Sequence, residues 1–432
     1  MHEVRAGGKI VSVTGLIVRA IGVRARIGDL CVLRGGGLPQ PLPAEVVGLE
    51  DGQAVLLPLG SLAGVSFTTV VETGGASFDL PEPSAVLGRV VDAFCRPLDG
   101  ATLPPARGPQ PTRAVPSPLD RPIIRAPFVT GIRAIDGLLT LGVGQRAGIF
   151  APPGVGKTTL LSAIAAHAAV DAVVIALVGE RGREVNEFLR DGVPEHMRER
   201  AVVVVATSDR PAAERVRAAE AACSIAEALR GQGAHVLLVV DSLTRYCRAL
   251  REVATAAGEA PARRGFPPSV FAALPQLIER AGGDGRGAIT GLYTVLVEGA
   301  IGNDPVSEEA MSLLDGHIVL SPELAAAGHY PAIDVLASRS RVVQNVCAPA
   351  QRAAAGQVRR WLADYQKSEL LIRLGEYQPG HDTALDEAVA AHPVLLDFLR
   401  QPLHQASAFD ATLQHLRRCT RPDDAADADG DD

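Results

Sequence analysis

Residues 151–158 read APPGVGKT, behind the apolar run Gly148–Phe150 and ahead of the helical stretch TLLSAI. No other segment constrains the fold as tightly, because a glycine turn of this kind works only between a strand that ends and a helix that begins. Gly154 and Gly156 let the backbone turn so that its N–H groups face an anion. Lys157 supplies a cation for terminal phosphates, and the opening helix adds the positive end of its dipole. Thr158 offers a hydroxyl to Mg²⁺, a metal that takes oxygen ligands. Gly154, Val155, Gly156, Lys157, Thr158 and Thr159 are therefore the nucleotide-binding candidates, with Ala151 in place of the pattern's first glycine. The chain's only lysines are Lys9, Lys157 and Lys367. A chance Lys-Thr after Gly-Val-Gly is improbable in such a composition.

From about residue 125 to 350, the apolar runs RAGIF, DAVVIALVG, RAVVVVAT, HVLLVVDS and GLYTVLVEG alternate with longer alanine-rich helical stretches. That alternation predicts an α/β fold with a mostly parallel sheet. HVLLVVDSLTRY ends its aliphatic run on Asp241, the position of a carboxylate that holds Mg²⁺ directly or through water. DAVVIALVG runs into Glu180, Arg181, Arg183 and Glu184. In a parallel sheet, the carboxyl ends of neighbouring strands line one crevice, and ligands bind there. Glu180 at such an end can orient and polarise a water attacking a γ-phosphate. Arg181 can neutralise the charge that builds up in the transition state. Arg183 and Glu184 are expected to pair with each other or with the loop.

Residues 1–80 read as short strands punctuated by glycine, a small barrel or sandwich, with a hairpin turn at Asp51-Gly52. The core is expected over 81–350, with a proline-rich surface linker near 103–122. Residues 351–420 read as helices, with Pro393 ending the second of them. The tail 421–432, with six aspartates, reads as a disordered acidic end. It accounts for most of the formal charge of -7, which leaves no basic footprint for nucleic acid or membrane. The six cysteines are scattered without a CxxC pair, which fits a reducing cytosol rather than a disulfide framework or a zinc site. No run approaches the ~18 apolar residues of a membrane span, and the N-terminal residues lack a signal-peptide core.

GIFAPPGVGKTTLL, LVGERGREVNEF, DSLTRYCRALREVATAAGE, PARRGFPPSVFAALPQLIERAG and GHYPAIDVLASRSRVVQNV together resemble the ATPases of type III secretion. YQKSELLIRLGEYQPG is more similar to the injectisome branch than to the flagellar export branch, and the catalytic subunit of rotary ATP synthases is a more distant likeness. The resemblance implies a RecA-like P-loop core between an N-terminal β-barrel and a C-terminal helical domain, assembled as a homohexamer with ATP and Mg²⁺ between subunits. It makes Lys157 and Thr158 the phosphate-loop residues, Glu180 the catalytic glutamate and Arg181 the phosphate-binding arginine. Asp241 becomes the metal-side acid, and Tyr330 the aromatic packed on adenine. Arg341 becomes the arginine finger that reaches a neighbour's nucleotide, with Arg339 as its nearest competitor. The implied function is ATP hydrolysis coupled to chaperone release and unfolding of export substrates. Central-stalk and stator proteins, chaperones and effectors would be the partners. The protein would sit in the cytoplasm, peripheral to the inner face of the bacterial membrane and attached through partners.

Other features of the sequence depart from that family. The barrel begins almost at once, which leaves an N-terminal membrane-associating segment in doubt. VEGAIGNDP lacks paired aspartates, and Pro322 stands where an arginine is common. Two other readings compete: flagellar protein export, and a RecA-type nucleic-acid translocase. The N-terminal module offers Phe67 and Phe78 but no Trp or Tyr, a poor platform for stacking bases. EAPARRGFPPS reads as a stiff basic loop.

Overall fold

The computed structural model describes residues 7–73, 81–104, 116–299, 302 and 304–420. The acidic tail, Phe78, the linker residues 105–115 and three positions of VEGAIGNDP lie outside these.

Six strands open the chain: β1 (Gly8–Thr14), β2 (Ile17–Ile21), β3 (Leu30–Arg34), β4 (Leu42–Glu50), β5 (Gln53–Pro58) and β6 (Val70–Thr73). They close into an antiparallel barrel in the order β1-β2-β5-β4-β3-β6, which removes the exposed edges that short strands otherwise present. Its interior is aliphatic, with Val18, Ala20, Leu33, Ala44, Val46 and Leu56 fully buried. The β4–β5 turn places Asp51 at φ 49° and Gly52 at φ 73°, both left-handed as a two-residue hairpin requires. Ile17, Leu57 and Leu59 pack against Ala213 and Val253 and seat the barrel on the next domain.

The central sheet runs β17-β16-β10-β15-β13-β11-β12-β7. Its members are β7 (Val90–Val91), β10 (Arg146–Ala151), β11 (Ala172–Val178), β12 (Ala201–Ala206), β13 (His235–Asp241), β15 (Ala288–Leu296), β16 (Gly316–Leu320) and β17 (Ile333–Ser340). β8 (Pro127–Phe128) and β9 (Leu141–Gly142) form a small ribbon beside it, and β14 (Gly282–Gly283) hydrogen-bonds to β15. The five runs read from sequence are β10, β11, β12, β13 and β15, all parallel. The edge strand β17 returns antiparallel against β16, and the two-residue β14 pairs antiparallel with β15. Along β11, Val173, Ile175 and Leu177 face one core while Val174, Ala176 and Val178 face the other. Helices cover both faces, so the strand is apolar at every position instead of alternating.

The C-terminal region packs three helices, Pro349–Arg373, Thr383–Leu399 and Phe409–Thr420. The second passes straight through Pro393, contrary to the break expected there. Leu395 and Phe398, both fully buried, hold the residues beyond it in helical register, and their packing outweighs the lost hydrogen bond. Pro322 takes the first turn of the short helix Pro322–Ala326, capped by Ser321, where a missing N–H has no consequence. No helix among the described residues is long and apolar enough to cross a membrane.

Candidate active site

Three parallel strand tips meet at one edge of the sheet. Leu177 of β11 lies level with Asp241 of β13, and β15 separates β13 from β10, which leads into the phosphate loop. Gly154 (φ 83°) and Gly156 (φ 90°) turn that loop in a conformation side chains rarely adopt. The helix Lys157–His167 then begins at Lys157. The Lys157 ammonium ion-pairs with Asp241 Oδ1 and stands 3.6 Å from Glu180 Oε1. Asp241 Oδ1 also accepts the Thr294 hydroxyl of β15 at 2.6 Å. Glu180 Oε2 pairs with the guanidinium of Arg245, while its buried Oε1 has no hydrogen-bond partner. Glu180 and Asp241 are 7% and 3% exposed. Buried carboxylates need cationic partners to offset their desolvation, and Lys157 and Arg245 are the cations paired with these two.

Tyr330 borders the same loop. A β-carbon on Gly156 would lie 3.7 Å from its ring, and Tyr330 is 46% exposed. It shares a cavity of about 540 Å³ with Gly154, Gly156, Thr159 and a wall from Gln401 to His404. Burial, and then the charge of Arg400, hold the neighbouring His329 below its ordinary pKa.

The structure brings Lys157, Glu180, Asp241, Thr158, Thr159 and Tyr330 together, and it leaves two arginines outside. Arg181 is exposed and lies 3.7 Å from Glu184. Arg183 pairs with Glu187 at 2.7 Å, not with Glu184 or the loop. The helix Gly182–Glu187 starts here, and its pitch sets partners three and four residues apart. Arg341 follows the antiparallel strand β17, where Ser340 lies level with Gly316 at the start of β16. That is the opposite end of the sheet from Lys157. Arg341 Nη2 donates to Met311 O at 3.2 Å, and Arg339 is exposed beside it.

Sequence reasoning missed Arg245, Thr294 and the segment 401–404. Arg245 sits one helical turn past Asp241 in DSLTRY, and that spacing was the available signal. Thr294 and Gln401 carry none, because only the fold brings them here.

The donor set fits Mg²⁺ bound with its nucleotide. Among the described residues, no cluster of three or more His, Cys, Asp or Glu could hold a metal on its own. The oxygens at hand are the Thr158 hydroxyl and Asp241, and Mg²⁺ takes one or two protein oxygens, substrate phosphates and waters.

A glycine-turned cradle with a lysine, followed by acids at two neighbouring strand tips, defines a P-loop nucleotide hydrolase. The profile of the ATP synthase alpha/beta family, nucleotide-binding domain, matches residues 131–340, and that of the T3SS EscN ATPase C-terminal domain matches residues 347–418. The type 3 secretion system ATPase of Sinorhizobium fredii is 50% identical over 96% of this chain and 92% of its own length. The flagellum-specific ATP synthase of Bacillus subtilis is 43% identical over 96% of this chain and 95% of its own. The structure of the assembled ATPase EscN from enteropathogenic E. coli superposes with TM-score 0.88 at 44% identity, covering 95% of this chain and 99% of that one. EscN in complex with its central stalk EscO gives TM-score 0.86 at 43% identity, with the same coverage. The chain belongs to the type III secretion ATPase family, with the nucleotide-binding and ATP-hydrolysing core, six-stranded barrel and helical C-terminal region that this entails.

Proposed function

We propose that this chain is the ATP-driven motor of type III protein secretion, and that the observation carrying the proposal is Glu180 Oε1, buried, unbonded and 3.6 Å from the Lys157 ammonium. Lys157 and the N–H groups of residues 154–159 hold the β- and γ-phosphates. Glu180, fixed through its other oxygen by Arg245, turns Oε1 toward the attacking water and accepts its proton. Thr158 and Asp241 would hold Mg²⁺, which neutralises charge between the phosphates when bound. Arg181, exposed beside Glu180, swings onto the phosphoryl group from its contact with Glu184.

Arg341 lies across the sheet from its own Lys157, and this supports its assignment to a neighbour's site in a homohexamer. EscN is seen assembled, and also in complex with a central stalk; we propose the same for this chain. Leu370, Leu371 and Leu374, exposed at and just past the end of helix Pro349–Arg373, offer an apolar surface for such partners. Hydrolysis would be coupled to chaperone release and unfolding of export substrates, in the cytoplasm at the inner face of the bacterial membrane, with stator proteins as the attachment. Nucleic acid is not a partner in this reading. The match of residues 347–418 to a secretion-type C-terminal domain favours it over flagellar export.

The deciding experiment is steady-state ATPase activity against protein concentration, with Mg²⁺ and without nucleic acid. Specific activity rising together with a larger species in light scattering is expected. Constant activity from a confirmed monomer would remove the shared site, and strong stimulation by RNA would replace secretion with translocation on nucleic acid.

A further inference from the structure

The base-side wall of the nucleotide cavity is not part of the central domain in chain order. It is the stretch 401–404, just past the end of the helix Thr383–Leu399. What ties it to Tyr330 is therefore a mechanical question. The answer is a compact set of hydrogen bonds centred on Gln401, which is 5% exposed. Its N–H donates to Tyr330 O at 2.9 Å. Its side-chain nitrogen donates to Gly131 O at 2.8 Å and Gln405 O at 2.7 Å. Its side-chain oxygen accepts the Arg133 N–H at 2.8 Å.

Arg133 does more than meet Gln401. Its Nε donates to Phe398 O and its Nη2 to Asp397 O, each at 3.0 Å, and Nη2 also reaches Arg400 O. The last carbonyls of a helix lack partners within it. A guanidinium with five donors and a fixed charge satisfies several of them and suits the negative end of the dipole. Arg133 thus caps the C-terminus of a helix some 265 residues away, while its own N–H fixes Gln401. At its base, Asp136 accepts the Thr130 and Gly131 N–H groups, both at 2.9 Å, and anchors the turn that presents Arg133.

We infer that Arg133 and Gln401 are positioning residues for the nucleobase: they set the gap between the Tyr330 ring and the 401–404 wall, and so the share of ATP affinity that comes from the base. The inference rests on Tyr330 being the base platform. Neither residue lies at the phosphates, so their contribution separates from that of the loop. A ligand with the phosphates and without the base is indifferent to them.

The test is equilibrium binding of ATP and of inorganic tripolyphosphate to the full-length protein and to Arg133→Gln, Gln401→Ala and Tyr330→Ala, with thermal melting as the check on folding. Arg133→Gln and Gln401→Ala are each expected to weaken ATP about tenfold, ~1.4 kcal/mol, and to leave tripolyphosphate within about twofold. Equal weakening of both ligands, or of neither, overturns the inference. If Arg133→Gln fails to fold, Gln401→Ala decides, because it leaves the helix cap in place. Tyr330→Ala separates the two claims. If it leaves the ratio of ATP to tripolyphosphate affinity unchanged, the base platform itself is wrong. If it lowers that ratio while the other two variants do not, only the clamp fails.

Discussion

Glu180 is held by one oxygen and offered by the other. Arg245 takes Oε2, and Oε1 remains buried without a hydrogen-bond partner. Glu180→Gln keeps the shape and the size of the side chain but cannot accept a proton. It should bind ATP as before and turn it over at least about 10²-fold more slowly, the usual contribution of a general base. Near-normal turnover in a single-cycle assay would place the base elsewhere. Arg341→Ala should retain nucleotide binding and lose about 10³-fold or more in the assembled state, the scale of an arginine finger. Mixing it with Lys157→Ala protein should restore part of the activity through hybrid sites; a mixture as dead as its parents would point to a site complete within one chain, and an Arg341→Ala protein that stays active to Arg339 as the finger. At this scale the phosphate loop and both acids were legible, because each sits in local sequence that shapes its own surroundings. Arg245 and Gln401 were not, since their partners are far away in the chain. Of the expectation that Arg183 and Glu184 pair with each other or with the loop, Glu184 meets the loop residue Arg181, while Arg183 turns to Glu187 because a helix begins at Gly182 and sets partners three and four positions apart.

Elements were easiest to read where burial is two-sided. β11 throughout, and β13 from Val236 to Val240, are apolar because two cores compete for alternate side chains, and a run of that length has few other uses. β7 is two residues long and carries no such signal; it exists only because β12 supplies an edge. Pro393 marks the opposite error, in which a strong local signal is overruled. It is exposed inside a helix whose far half is anchored by Leu395 and Phe398. A proline there removes one hydrogen bond and crowds the preceding turn. Pro393→Ala should therefore stabilise the C-terminal region by about 1–3 kcal/mol, seen as a higher melting temperature. An unchanged or lower one would show that the ring packs better than the alanine helix that replaces it.

Across the whole molecule, the barrel meets the core beside a carboxyl group that is poorly solvated. Burial and the nearby Glu220 push Glu45 on β4 up to about 6, against a partial offset from Arg217. The folded protein therefore binds this proton more tightly than the unfolded chain, whose glutamates titrate near ~4.3. The resulting stabilisation is complete at low pH and is lost as pH rises through about 6. Glu45→Gln stays neutral, so relative to it the native protein should lose about 1–2 kcal/mol between pH 4.5 and 7. Parallel melting curves for the two proteins across that window would show that Glu45 is solvated after all. The wide separation of Arg341 from Lys157 has its own consequence at this scale. If Arg341 serves a neighbour's site as proposed, subunits that complete one another's sites by opposite ends can join only head to tail. A row of them always has one end pocket lacking its arginine, and a pair fills only one of its two. Closing the circle adds the missing contact without adding a subunit. Turnover per subunit thus reports ring closure directly, with the last joint worth as much as any before it.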